Sequence, residues 1–526
     1  MKVLLIQPPI EDYYTTKIRS YPLGLLFIAS KVSDICDVEI VDLRHSKKPL
    51  KSISPFDELN DIYNPHYSPF SLFHTYQRYG KSNEEIRDII SLKNPDIIGI
   101  SSLFTTYFEE AVEIAKIAKE IDKSMITVMG GNHPTLFPED VLRYDCVDFV
   151  IRGEGELPFK LLVENIKKGK SLFEVPGLCY KDNGTIEIKK IYTDADCNLN
   201  LKREMIQKDS YRYGKGFIAP ALTSKGCPHR CYFCGKPAVK FRRFETEDIK
   251  KDLKKLIDLG FDTVDFEDDY LDLTSPQIKD MLKWISDKNL RLTAMNGVVP
   301  KIDSETIKLV RDAGFQRINL SLVDISEDIQ KETNRDQFSG FNEILDDFIK
   351  TGIPIEVHFI LGLPYQTEND ILNTMIYLAE KKVLLGPSVY YLSPGSPAFK
   401  NFLSENGNFN LKYARSSALL PSNNYFTPVK LATYMKLSRF INYVKSVIDS
   451  TLSDLSLTDL LKEIENKNPL DYEILKSLII EKRVISFQKQ SRKFQVDPFD
   501  RDAVSGLFNK LKFIKGHKSN NVCHFC

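Results

Sequence analysis

Residues 226–235 read GCPHRCYFCG and place Cys227, Cys231 and Cys234 within eight residues, at gaps of three and then two. A structural zinc site takes four ligands, and only three stand here. The stretch follows the apolar run IAPALTSKG (218–226), which reads as a strand, so the thiols sit together on one tight loop at a strand end. Iron–sulfur clusters are bound by cysteine thiolates in such loops. Three thiolates leave one iron of a four-iron cluster without a protein ligand, open to a small molecule that carries an amine and a carboxylate. A zinc knuckle completed by a distant ligand is the competing reading. His229, between two of the cysteines, reads as a solvent-facing loop residue or a group behind the ligands rather than a ligand itself.

Working outward, five further strand-like runs follow the loop: TVDFEDD (263–269), RLTAMNGV (291–298), RINLSLVD (317–324), EVHFILGLP (356–364) and SVYYLSP (388–394). Helical periodicity separates them near 245–258, 275–287, 304–312, 341–351 and 367–381. Six repeats of strand then helix over 217–403 predict a partial (β/α)6 barrel of the TIM type. Beyond residue 404 the strand signals fade into helical periodicity, as in DLLKEIENK (459–467), so 404–526 reads as a helical domain.

Upstream, KVLLIQ, VEIVDL, DIIGISSL, MITVMGG and FVIRGEGE alternate with amphipathic stretches over the first 155 residues. This rhythm predicts a doubly wound parallel sheet, Rossmann-like, whose ligand crevice lies outside the carboxyl ends of its strands. A hairpin about Asn183-Gly184 closes this domain at residue 190, and 191–216 reads as a linker.

The 526 residues exceed what one core serves. Lys plus Arg balance Asp plus Glu at 72 each, so global charge gives no reason to expect nucleic acid or an anionic membrane as partner. The apolar start breaks at Pro8-Pro9, no run approaches a membrane span, and the cysteine count of nine is odd. A reducing cytoplasmic setting without a disulfide framework is the expectation.

Cys227, Cys231, Phe233 and Cys234 match the signature of three cysteines with an aromatic residue before the third. In this the chain resembles the radical S-adenosylmethionine (SAM) superfamily. The resemblance implies a 4Fe-4S cluster whose unique iron binds the amine and carboxylate of SAM. An electron, from a donor such as flavodoxin or ferredoxin, then cleaves SAM to a 5'-deoxyadenosyl radical. It also implies SAM contacts from the acidic strand end Glu267, Asp268 and Asp269, from Asn296, from Ser321 and from Gly362, against which the adenine packs. A carboxylate suits an ammonium group chemically, although an acidic N-cap cluster before LTSPQ explains the same residues. The family often shows a glutamate after the fourth strand. Val323 stands there, so either Asp324 substitutes or that contact is absent.

A doubly wound domain before such a barrel, with GISSL, GGNHPT and RGEGE, resembles the cobalamin-binding radical SAM enzymes over about residues 1–400. The resemblance implies cobalamin held by Ser101 and Ser102, by the backbone of Gly130 and Gly131, and by Gly153, Glu154 and Gly155. The Asp-x-His-x-x-Gly signature of a lower axial histidine is absent, and His133 is not read as a cobalt ligand. His45, His66 and His74 of the insert 44–80 fit no compact metal motif.

The function so implied is a cobalamin-dependent radical SAM methyltransferase acting on an unactivated carbon of a small molecule or peptide. Cyclisation, rearrangement or methylation of another kind of centre are the enzyme alternatives, and a cobalamin-binding sensor is the non-catalytic one. Finally, Cys523 and Cys526 end the chain as a spaced pair after the basic run KLKFIKGHK. They read either as a frayed tail or as a second metal site or active-site thiols.

Overall fold

The computed structural model describes residues 1–526 except 16–19, 47, 183, 194–197, 237–239, 336–339, 452 and 526. The first sheet contains β1 (Lys2–Gln7), β2 (Asp37–Asp42), β3 (Ile97–Ser101), β4 (Ile126–Gly130), β5 (Phe149–Ile151), β6 (Leu178–Asp182) and β7 (Thr185–Glu187). Its order is β7-β6-β5-β4-β3-β1-β2. Strands β1 to β5 pair in parallel, and β6 and β7 add an antiparallel hairpin edge. Asn183 of the expected turn lies outside the described residues. Strands buried on both faces read as continuous apolar runs, as VLLI in β1 does. Helices Leu23–Val32 and Glu156–Lys168 cover one face, and Asn83–Lys93 and Phe108–Ile121 cover the other. Ser82 and Glu85 start the helix Asn83–Lys93 with a reciprocal capping box, which satisfies two otherwise orphaned backbone donors. The order 2-1-3-4-5 reverses direction between β1 and β3, so the crevice opens at their carboxyl ends.

The second sheet is a split partial barrel of six strands. Strands β8 (Gly216–Ala221), β9 (Thr263–Phe266) and β10 (Arg291–Thr293) run parallel. So do β11 (Ile318–Val323), β12 (Ile355–Leu361) and β13 (Leu384–Val389). A single parallel bridge, Val298 to Leu320, and another, Leu292 to Phe315, join the two halves. The expected (β/α)6 architecture is present.

The linker is more than a connector. Arg203, fully buried, donates to both carboxylate oxygens of Asp252 at 2.9 and 2.6 Å and so pins residues 191–216 to the helix Thr246–Asp258. The insert 44–80 packs across the chain onto the C-terminal region. Tyr63 Oη donates to Ser417 O at 2.8 Å, Tyr67 Oη to Asp471 at 2.7 Å, and the Phe70 ring meets Phe440 edge-on.

The C-terminal region is mainly helical, led by Pro428–Asp449, which Thr427 caps. It also holds a hairpin, Ile485–Gln488 with Lys493–Val496, and a sheet of Leu455–Ser456, Val522–His524 and Phe513–Lys515. These strands are two to four residues long, too short for a periodic signal, and Leu455–Ser456 pairs with Val522–His524 from far along the chain. No helix among the described residues is long and apolar enough to cross a membrane.

Candidate active site

The three-cysteine loop leaves the barrel just past the carboxyl end of β8. Asp268, at the end of β9, accepts from Thr223 N at 2.9 Å, Thr223 Oγ1 at 2.8 Å and Ser224 Oγ at 2.7 Å, which anchors the loop's root. Within the loop Cys234 N donates to Cys231 O at 3.1 Å, and Tyr232 N donates to Thr333 O at 3.2 Å. Cys231 is buried, and Cys227 and Cys234 are half-buried. Burial pushes the Cys227 and Cys231 thiols up; Arg335, whose Nη1 lies 3.7 Å from Cys231 Sγ, opposes this at Cys231.

The thiols sense one another in sequence, Cys227 with Cys231 and Cys231 with Cys234. Among the described residues no three histidine, cysteine or carboxylate groups stand at single-ion spacing. The donor set is therefore three soft sulfurs on one loop with a cation behind them. That suits an anionic iron–sulfur cluster. His229 is half-buried rather than solvent-facing; its ring meets Tyr270 edge-on at 5.1 Å, and its Nε2 has no partner among the described residues.

The acidic strand end divides into three different roles. Asp268 is spent on Thr223 and Ser224, and burial pushes its carboxyl up to about 6 against those hydrogen bonds. This corrects the expectation that it faces SAM. Asp269 pairs with Lys236. Glu267 lies within electrostatic reach of the Arg44 guanidinium of the first domain. The N-cap alternative fails, because Ser275 caps the following helix Pro276–Ile285.

Asn296 Nδ2 donates to the carbonyls of Glu267 and Asp268, both at 3.0 Å, and locks this strand end. Ser321 Oγ accepts from Arg335 Nη2 at 2.9 Å. Asp324 is fully buried and accepts from Gln366 Nε2 at 2.6 Å and Thr374 Oγ1 at 3.1 Å, so it faces inward and does not replace the missing glutamate. Val323 beside it is buried at a bulge with φ of 73°, an outlier conformation for a β-branched residue. Gly362 N donates to Gln366 Oε1 at 2.7 Å, which ties the β12 end to the Asp324 network. Phe233 packs against the apolar cluster of Leu363, Tyr390 and Phe399.

On the first domain, Ser101 ends β3 and Ser102 follows it, with Ser102 N donating to Gly130 O at 2.7 Å. The Ser102 hydroxyl and both ring nitrogens of His133 are buried without a partner among the described residues. His133 is stacked on Phe108 at 4.4 Å, and burial pushes its pKa down to about 4. Unpaired buried polar atoms are costly, and these lie at the carboxyl edge of β3 and β4.

Two of the glycines expected to hold cobalamin, Gly131 and Gly153, are required by the protein's own packing. A Cβ at Gly131 would strike Ser102 O, and one at Gly153 would strike Tyr192 O, both residues having φ near 100° (113° and 89°). Gly130 is nearly open, and a Cβ at Gly155 would touch Ile28. Glu154 is likewise occupied: it pairs with Arg242 and, at 3.7 Å, with Lys225, tying the first domain to the root of the cysteine loop.

The two strand edges therefore face one another. Arg44, just after β2, lies within electrostatic reach of Glu267, and Tyr391, just past β13, within that of both Tyr14 and Cys234. Arg335, Arg44 and Tyr391 were not legible as site residues, since a lone arginine or tyrosine in a loop carries no spacing signal. The C-terminal pair separates from the site. Cys523 is fully buried in the strand Val522–His524, between Leu455 and Ile514, and burial pushes its thiol up to about 12. That is the environment of a packed core cysteine, which corrects the metal or lid reading for this residue; Cys526 lies outside the described residues.

Two family models match the chain: the B12 binding domain over residues 75–163 and the Radical SAM superfamily over residues 222–378. An uncharacterized methyltransferase of Pyrococcus horikoshii is 26% identical over 455 residues, 84% of this chain and 89% of that protein. The cytidylyl-2-hydroxyethylphosphonate methyltransferase of Streptomyces wedmorensis is 24% identical over 408 residues, 69% of this chain and 73% of that protein. Among solved structures, the radical SAM methyltransferase TsrM of Kitasatospora setae, with cobalamin and a [4Fe-4S] cluster bound, aligns with a TM-score of 0.56 at 16% identity. That alignment covers 77% of this chain and 75% of TsrM, and at such identity it speaks for the fold.

Proposed function

We propose that this chain, which belongs to the radical SAM proteins carrying a B12-binding domain, is a cobalamin-dependent methyltransferase that acts on an unactivated carbon. One observation carries the reading: the loop of three thiols and the edge bearing Ser102 and His133 belong to two domains whose carboxyl edges meet through Glu154 with Arg242 and Lys225. When bound, the cluster with SAM supplies a hydrogen-abstracting radical, and the corrin supplies a transferable methyl group.

The protein's part is to hold and to exclude. Cys227, Cys231 and Cys234 would hold three irons. Arg335 favours the thiolate of Cys231 and sets Ser321 at the rim of the SAM site. Asn296 fixes the backbone at Glu267 and Asp268, so that this strand end keeps its shape at the rim of the SAM site. Ser102 and His133 would meet the cobalamin tail. The pairs of Glu154 with Arg242 and Lys225 with Glu156 draw the domains together and keep water from the space between them. A one-electron donor of the flavodoxin or ferredoxin type, a small-molecule substrate and a cytoplasmic setting complete the reading.

The test needs no substrate. With methyl-labelled SAM and reduced corrin, label moves onto the protein-bound corrin under anaerobic conditions. A corrin that stays unlabelled contradicts methyl transfer and favours cyclisation or rearrangement.

A further inference from the structure

A cavity of about 240 Å³ lies where the insert, β13 and the long helix Pro428–Asp449 meet. One wall carries Tyr14 and Phe73, whose rings stack face to face with centroids 4.5 Å apart and planes 8° from parallel. Ser388 and Val389 of β13 form the opposite side, and Met435 and Arg439 of the helix form the floor. The cavity adjoins the chemistry already described, because Tyr391 neighbours both Tyr14 and Cys234. No part of the mechanism above uses it.

Arg439 is the unusual group in this cavity. Its Nη1 donates to the backbone carbonyls of Ser71 and Leu72, and its guanidinium stands 6.0 Å from the Phe73 ring centroid. No carboxylate among the described residues forms an ion pair with it, and burial lowers its pKa with only Tyr63 acting in the opposite direction. Among the described residues the more deeply buried Arg203, Arg415 and Lys436 each have an aspartate partner, and Lys445 is satisfied by three backbone carbonyls. A desolvated guanidinium without an anion is unfavourable, and its planar fork matches a carboxylate or phosphoryl group. An apolar cavity with one convergent polar group is the usual form of a small-molecule site.

We infer that this cavity, on the functional reading given above, is the substrate site, and that it takes a small molecule with a flat apolar body and an anionic group. The body lies on Tyr14 and Phe73, and the carboxylate or phosphoryl oxygens pair with Arg439. The open side toward Tyr391 directs the remainder of the molecule at the cysteine loop.

Calorimetric titration of the corrin-loaded, cluster-reconstituted full chain tests this with four probes: 2-naphthoate, 2-naphthyl phosphate, neutral 2-naphthamide and cationic 2-naphthylmethylamine. At least one anion binds tenfold or more tighter than the amide, and the cation binds weakest; which anion wins tells a carboxylate substrate from a phosphorylated one. Arg439→Gln, which keeps a donor for the Ser71 and Leu72 carbonyls, brings the anion down to the affinity of the amide and leaves the amide within twofold. Ser388→Trp fills the cavity and abolishes binding of all four.

The inference is overturned if the amide equals both anions, if no probe binds, or if anion binding survives Ser388→Trp. Equal loss of anion and amide in Arg439→Gln also overturns it, provided corrin content shows that the variant is folded. If it is not folded, the anion–amide difference and Ser388→Trp decide. Binding of the anion by a chain that never labels its corrin would sink the methyltransferase reading alone. Corrin labelling without anion binding would sink only this one.

Discussion

Arg335 donates from Nη1 toward Cys231 Sγ at 3.7 Å and reaches Ser321 with its other terminal nitrogen, so one buried cation couples the cysteine loop to the end of β11. The thiolate is the metal-binding form of cysteine, and a neighbouring cation favours it. Replacing Arg335 by Met removes that support, and the Cys231 pKa rises further. Each unit of rise cuts the thiolate fraction about tenfold. Anaerobic iron incorporation at pH 7 falls severalfold in Arg335→Met and recovers toward pH 9, while Arg335→Lys keeps an intermediate level. A pH profile identical to that of the parent contradicts the coupling.

Asp268 sets a pH signature on stability. Burial is the main cause of its raised pKa, about 6 against 3.8 for a free carboxyl. The native state therefore binds the proton more tightly than the unfolded chain does, and stability is lost as pH rises from about 4 to 6 and is level above that. The cost is on the order of 3 kcal/mol at 1.36 kcal/mol per unit. In urea titrations of the apoprotein, the stability of the parent relative to Asp268→Asn falls by roughly this amount over that range. A parent and variant with parallel pH profiles would show that the three hydrogen bonds to Asp268 offset its burial.

The linker pair Arg203 and Asp252 is buried on both sides. Removing one partner leaves a buried charge, so Arg203→Met costs about 3–5 kcal/mol. The double variant Arg203→Met with Asp252→Leu recovers most of that loss. Urea denaturation measures both, and a double variant no better than the single one would place the cost in lost packing around Tyr21 instead.

Cys523 stands among apolar side chains in the C-terminal sheet. Cys523→Ser buries a hydroxyl there and lowers stability by about 1–3 kcal/mol, yet iron content and SAM cleavage stay at the parent level. Loss of iron in a folded Cys523→Ser protein would return the C-terminal cysteines to the metal chemistry.

Strand-rich apolar runs and the Cys227, Cys231, Cys234 spacing made both sheets and the cluster loop readable from sequence, because period and gap are local properties. The hairpin Ile485–Gln488 with Lys493–Val496 and the strand Val522–His524 were not readable, since three or four residues carry too little period to read, and Val522–His524 also pairs with the distant Leu455–Ser456. The same limit governs the site. Three adjacent acids, Glu267, Asp268 and Asp269, look equivalent in sequence, and only the fold gives Asp268 to Thr223 and Asp269 to Lys236 and leaves Glu267 apart from both. Gly131 and Gly153 looked like ligand contacts and instead make room for Ser102 O and Tyr192 O. Arg335 sits a hundred residues beyond the cysteine it supports, where no motif announces it.

Release of 5'-deoxyadenosine from SAM by the anaerobically reconstituted, reduced protein tests the central claim most directly, that Cys227, Cys231 and Cys234 hold a SAM-cleaving cluster. The account predicts release by the parent chain and none, with loss of cluster iron, when all three cysteines are replaced by alanine. Undiminished release and full iron content in that triple variant would contradict it.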